Sequence, residues 1–201
     1  MFFLHHTLLF LLKKKKFKMK SILGIIGSPR KDGNTNKLVS KIIEGSKSKG
    51  AETNIINLRK VLINECDGCH TCWRGLECSK NDDMNNIYPH IIKADIIIFG
   101  TPVYWYGPTA LMKAFLDRFV YFNCPENRTK IRGKKAIIVI PFEEENLATA
   151  EPLIMMFEKS FEYLEIQLVK KIIVPGVGDK GDVLKKVDVL EECLNLGKKL
   201  V

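Results

Sequence analysis

Five short apolar runs, each separated from the next by a stretch of helical periodicity, constrain this chain more than any other feature. The runs fall at residues 22–27 (ILGIIG), 53–58, 95–103 (with IIIF), 135–142 (with AIIVI) and 169–174. Between and after them, apolar residues recur at helical spacing over 35–49, 82–94, 109–122, 149–164 and 183–200, and Asp82 or Asp83 offers a cap to the second of these. Strands of this kind alternating with helices predict a parallel sheet covered on both faces. Five such units suit a three-layer, doubly wound α/β fold with a five-stranded parallel sheet. A closed barrel would need eight. With 46% hydrophobic residues, the 201-residue chain can bury one well-formed core. In such sheets ligands bind outside the carboxyl ends of the strands, near the point where strand order reverses. Three loops should therefore meet on one edge: those after the first, second and third strands.

The loop after the second strand holds Cys66, Cys69, Cys72 and Cys78, spaced C-x2-C-x2-C-x5-C. Three thiols in seven residues can converge on one small soft centre. A C-x2-C-x2-C run is how ferredoxin-type chains hold an iron–sulfur cluster. In a reducing compartment, clustered cysteines read as metal sites rather than disulfides. Zinc is the competing reading, with His70 as a substitute ligand, although its usual thiol pairs stand a dozen or more residues apart. Cys124 and Cys193 stand alone and read as small buried residues.

The loop after the first strand runs from Gly27 through Ser28, Pro29 and Arg30 to Gly33, Asn34, Thr35 and Asn36. It opens a helix, whose N-terminus offers free N–H groups and a positive dipole end. Ser28, Thr35 and Asn36 add short side-chain donors and Arg30 adds a guanidinium, so together they can cradle a phosphate. The loop matches neither G-x-G-x-x-G nor G-x-x-x-x-G-K-[ST]. A polar turn with Asn34 or Thr35 as helix cap is the alternative. After the third strand, Pro102, Val103, Tyr104, Trp105 and Tyr106 make an unusually aromatic loop, suited to a flat ring. Packing of Tyr104 and Trp105 under the next helix or in a subunit interface is the alternative there. A phosphate cradle and an aromatic slot together describe a mononucleotide with a flat ring, such as flavin mononucleotide (FMN).

The segments GSPRKDGNT and GTPVYWYGPTALMKAFLDR, with the cysteine run between them, resemble the iron–sulfur flavoprotein branch of the flavodoxin-like, NADPH-dependent FMN reductases. The resemblance covers residues 19–201. It implies that Ser28, Arg30, Asn34, Thr35 and Asn36 hold the FMN phosphate. It implies that Pro102, Val103, Tyr104 and Trp105 border the ribityl chain and ring. It further implies that the four cysteines ligate a 4Fe–4S cluster, and that the protein is a homodimer or homotetramer. Where relatives present a small glycine-rich turn after the fourth strand, this chain has Pro141, Phe142, Glu143, Glu144, Glu145 and Asn146. Three carboxylates there would repel an anionic flavin and a nicotinamide phosphate, so this turn is not assigned to the site.

The expected function is that of an electron-transfer flavoprotein: single electrons from a redox protein such as ferredoxin, passed through cluster and FMN to an acceptor. No general base is required. The rivals are an NAD(P)H-dependent FMN or quinone reductase without a cluster, and a zinc-stabilised binding module. Of the formal charge of +9, five positives are Lys13 to Lys16 and Lys18, in a segment free of acids. No nucleic-acid pattern of basic and aromatic residues is present. Residues 1–18 read as an over-extended start or a peripheral tail. Their apolar run is short of the ~20 residues needed to span a membrane, and its lysines follow it, the reverse of a secretory signal. The cytoplasm and no membrane are the expectation. Asp117 and Arg118 are expected to form an intrahelical or interface ion pair.

Overall fold

The computed structural model describes residues 19–201; the segment expected to be peripheral, 1–18, lies outside them. The strands are β1 (Ser21–Ile26), β2 (Glu52–Asn57), β3 (Ile96–Gly100), β4 (Lys135–Pro141) and β5 (Gln167–Val174). They form one sheet in the order β2-β1-β3-β4-β5, with every neighbouring pair parallel. This is the doubly wound α/β sheet that the alternation predicts. The chain leaves β1 toward β2 on one side and later adds β3 on the other, so order reverses between β1 and β3.

Burial explains the order. All five residues of β3 are buried, and five of the six in β1, as central strands covered on both faces require. The edge strands β2 and β5 carry Asn54, Lys170 and Lys171 at exposed or half-exposed positions. Alternate residues feed two cores. Leu23, Ile25, Ile97, Phe99 and Ile138 face a phenylalanine-rich layer with Phe115, Phe119, Phe157 and Phe161. Around Phe99 these four rings stand 5.0–6.4 Å away, centroid to centroid. Ile22, Ile26, Ile96, Ile98 and Val139 face the opposite layer.

That opposite layer is α1 (Asn34–Ser48) against α7 (Val187–Lys199). A Cβ on Gly45 would lie 2.1 Å from the Leu194 carbonyl oxygen, and one on Gly197 would lie 2.0 Å from that of Ile42. The two backbones therefore touch. Ser46 Oγ bridges them, donating toward Ile42 O (3.0 Å) and Gly197 O (3.1 Å).

The other layer holds α2 (Met84–Lys93), α3 (Ala110–Asp117), α4 (Val120–Asn123), α5 (Pro125–Arg128) and α6 (Glu151–Tyr163). The helix expected over 109–122 is broken in two. Phe119 N donates to Leu116 O and Tyr121 N to Arg118 O, a tightened turn that re-aims α4. The break lets Phe119 and Phe122 reach the core while Tyr121 stacks on Tyr88 at 4.1 Å. The last expected helix is likewise interrupted. A 3-10 turn at Asp182–Lys185 precedes α7, and Gly181 before it has φ 96°, a conformation glycine adopts at no steric cost. Among the described residues, no helix is long and apolar enough to cross a membrane.

Candidate functional site

Two clefts are built by the loops leaving the strands. The first is lined by Ser28, Arg30, Asn34 and Thr35 after β1, by Pro102, Val103 and Tyr104 after β3, by Pro141, Phe142 and Glu143 at the end of β4, and by Val177 and Gly178 after β5. It sits where strand order reverses. Backbone contacts hold its walls together. Gly27 N donates to Gly100 O (2.7 Å), Thr101 N to Val139 O (3.0 Å) and Val177 N to Phe142 O (2.9 Å). Thr109, which caps α3 by accepting from Met112 N, donates its hydroxyl to Gly27 O at 2.5 Å.

The α1 N-terminus opens into this region without a side-chain cap: Gly33 stands at the N-cap. Neither Asn34 nor Thr35 takes the capping role that the sequence leaves open. The first amides of α1 are free to donate to an anion, and the dipole favours one. Ser28 and Thr35 are buried around it. Ser28 Oγ accepts from Arg30 N at 3.3 Å, and the Arg30 guanidinium lies against Gly178 O. Asn34 is placed differently from the expectation of a phosphate ligand. Its Nδ2 donates to Val177 O (3.0 Å) and Asp179 O (2.8 Å), and its Oδ1 accepts from Gly181 N (2.9 Å) and Val183 N (3.3 Å). The side chain ties the β5 loop to α1; only its backbone N–H faces the anion role.

Two further expected residues, Asn36 and Trp105, do not line the cleft. Tyr104 and Gly107 exchange backbone hydrogen bonds (2.8 and 3.0 Å) across a two-residue turn. Its central residues, Trp105 and Tyr106, both have positive φ, 48° and 62°. This is primed-turn geometry, normally given to Asn or Gly, and it is strained for aromatic residues. Trp105 is 96% exposed. Conversely, the acidic turn that the sequence reading leaves out of the site borders it, since Pro141, Phe142 and Glu143 line the cleft. These and the β5-loop residues were reachable by applying the strand-end rule to all five strands rather than three.

The second cleft is lined by all four clustered cysteines, together with Tyr88 from α2 and Arg118, Val120 and Tyr121 at the α3–α4 junction. The cysteine loop turns through His70 (φ 55°), Gly68 (φ 69°) and Gly75 (φ 75°), with a 3-10 turn at Thr71–Arg74 between the last of these and His70. Cys72 is buried, Cys66 and Cys78 are half-buried and Cys69 is exposed; all are free thiols. Cys69 Sγ shares hydrogen bonds with Ser79 Oγ (3.1 Å) and Thr71 Oγ1 (3.3 Å). These bonds, that from Ser79 first, pull its pKa below the ordinary thiol value. Burial pushes the Cys72 thiol up. Among the described residues no three His, Cys, Asp or Glu side chains are grouped to hold a single metal ion. The thiols ring a cleft instead.

Arg118 corrects the expectation of an intrahelical or interface pair. Asp117 does pair within its helix, with Lys113 at 2.5 Å. Arg118 turns inward with a side chain 1% exposed, and donates through Nη1 to Asp82 Oδ2 (2.5 Å) and Asn64 O (3.0 Å), and through Nη2 to Cys78 Sγ (3.1 Å). Asp82 is also fully buried and accepts from Asn64 N and Met84 N. Burial alone would raise its pKa, but the Arg118 hydrogen bond and the backbone donors outweigh it and leave the carboxyl below its ordinary value. Burial opposes the Arg118 charge, and Asp82 with the surrounding acidic groups overcomes it. Nothing at this position in the sequence marks the residue as interior.

Comparison with known proteins identifies the family and the fold. The family model described as NADPH-dependent FMN reductase matches residues 20–167. An iron–sulfur flavoprotein of Archaeoglobus fulgidus is 35% identical over 116 residues, covering 58% of this chain and 51% of the relative. The chain thus matches about half the length of that relative. A second iron–sulfur flavoprotein of the same organism is 29% identical over 189 residues, covering 90% of this chain and 93% of its own. Among solved structures, the NAD(P)H:quinone oxidoreductase from Methanothermobacter marburgensis superposes with a TM-score of 0.71 at 18% identity, covering 90% of this chain and 96% of that one.

Proposed function

From the premise that the chain belongs to the NADPH-dependent FMN reductase family, we propose that it is an electron-transfer flavoprotein. In this reading FMN occupies the first cleft and a 4Fe–4S cluster the second. FMN would supply one- and two-electron chemistry, and the cluster would supply single-electron transfer. The free amides of α1, with Ser28, Thr35 and Arg30, would bind the FMN phosphate. Pro102, Val103 and Tyr104 would border its ring system, with Phe142 opposite. Cys66, Cys69, Cys72 and Cys78 would ligate the cluster. The donor would be a small one-electron carrier of the ferredoxin kind.

The observation that carries this reading is the convergence of all four clustered thiols on one cleft beside a buried guanidinium. Four clustered thiols are the soft donor set that an iron–sulfur cluster takes, whereas zinc's usual thiol pairs stand a dozen or more residues apart. The residues fit the cluster in a second respect. Arg118, which lines that cleft, donates to Cys78 Sγ and keeps in Nε the one buried side-chain nitrogen or oxygen without a partner among the described residues. Self-association as a dimer or tetramer remains part of the proposal, supported by a Trp105 that the single chain leaves bare.

The family description itself favours a second reading, reduction of FMN directly by NADPH with no cluster involved. Anaerobic stopped-flow of the FMN-loaded protein separates the two. Reduction by a reduced ferredoxin at least tenfold faster than by NADPH supports the proposal. Rapid reduction by NADPH alone, in protein free of iron, supports the second reading.

A further inference from the structure

Arg118 is one of the largest fully buried side chains in the described structure, and it carries a charge. Burying a guanidinium costs several kcal/mol before its partners are counted. Asp82 alone would neutralise it, and a fork with five N–H donors is more than that pairing needs. Of the remaining donors, Nη2 reaches Cys78 Sγ at 3.1 Å and Nε has no partner, and the side chain lines the cysteine cleft. No other cationic side chain is hydrogen-bonded to a clustered thiol among the described residues; Cys69 shares its side-chain hydrogen bonds with the hydroxyls of Thr71 and Ser79 and with Asp67.

We propose that Arg118 is a positioning residue that sets the reduction potential of the group held by the four cysteines. The inference rests on the cluster reading above and deepens it. Adding an electron to a thiolate-bound centre adds negative charge to its sulfurs. A charged hydrogen-bond donor on one of those sulfurs favours the reduced form, and low solvent access strengthens the effect. Asp82 fixes the guanidinium in place. Through Asn64 N and O, the same pair anchors the start of the cysteine loop. The helix between Thr109 and Arg118 adds a geometric consequence. Its N-cap hydroxyl holds the β1 loop of the first cleft, and its C-cap side chain holds Cys78. About 13 Å of one short helix therefore separates the two contacts.

The test is an EPR-monitored redox titration of anaerobically purified wild type, Arg118→Lys, Arg118→Gln and the double variant Asp82→Asn/Arg118→Gln. Circular dichroism, iron and sulfide are measured on each. The double variant removes both buried charges, so it is expected to fold even if an unpaired Asp82 unfolds the single one. The expected result is a fall in potential of about 59 mV or more in Arg118→Gln, a tenfold loss in electron affinity for a one-electron couple. A smaller fall is expected in the double variant, which loses the charged donor to Cys78 but the Asp82 carboxylate as well. Lys should fall between Arg118→Gln and wild type. Loaded variants with the wild-type potential overturn the inference. So do folded variants that bind no iron, because they make Arg118 a binding residue only. A wild-type protein without iron and sulfide would instead overturn the cluster reading itself, and this inference with it.

Discussion

At Asn34, four hydrogen bonds to residues 177–183 occupy the whole side-chain amide. The sequence shows a polar residue at a helix start and suggests a ligand; only the fold shows that the chain 143 or more positions later arrives to use it. Asn34→Ala should lower unfolding stability by about 1–3 kcal/mol, because buried peptide groups lose their partners. It should also weaken FMN binding roughly tenfold through the displaced Val177 and Gly178. Chemical denaturation and flavin fluorescence titration read the two effects; unchanged FMN affinity would show that the β5 loop is no part of the site. Arg118 was illegible for a related reason, since a charged residue ending an amphipathic helix looks like surface. The six thiols divide clearly. Cys193 is buried, its pKa pushed up to about 12 by desolvation, and Cys124 is buried with Asn127 and Tyr121 as partners. In iron-free protein, mass-resolved alkylation should therefore modify Cys69 first, and Cys124 and Cys193 at least tenfold more slowly. Equal rates for all six would contradict the burial described.

Among the elements, the strands were legible to within three residues at either end because buried apolar runs have few alternatives. Helix interruptions were not. Periodicity continues through 109–122, but the tertiary demand that Phe122 and Arg118 both point inward breaks it after Asp117. The turn at Trp105 and Tyr106 was equally hidden, because nothing in an aromatic pair announces two positive φ angles. Strain of ~1–3 kcal/mol per such residue predicts that Trp105→Asn/Tyr106→Gly raises thermal stability while reducing electron transfer or self-association. Differential scanning calorimetry and light scattering would record this. A less stable double variant would show that the aromatic rings, rather than the turn, hold the loop. The α1–α7 contact works in the opposite sense. A methyl group at Gly197 has a carbonyl oxygen 2.0 Å away, so Gly197→Ala should cost about 1–3 kcal/mol by overpacking.

For the molecule as a whole, a sheet order of β2-β1-β3-β4-β5 brings five loops to one edge and divides them between two clefts. The first cleft was largely readable from the sequence, because a helix N-terminus after a buried strand has a fixed position. Its acidic border was misjudged on charge alone, although the β4 turn cannot avoid that edge. The buried Asp82–Arg118 pair joins the cysteine loop to the helical layer and gives the fold an acid limit. Asp82 titrates below its ordinary value when folded, so its stabilisation is complete above the unfolded pKa and fades as pH falls through the folded one. Denaturant midpoints should accordingly drop below about pH 4, and Asp82→Asn should flatten that drop. The exposed pairs of Asp67 with Lys80 and Asp182 with Lys185 contribute little to it. The central claim, two redox groups on one chain, is tested most directly by native mass spectrometry of protein purified without oxygen. One FMN and one four-iron, four-sulfide unit per chain is the expected mass increment. A chain carrying FMN alone, or a single zinc ion, would contradict it.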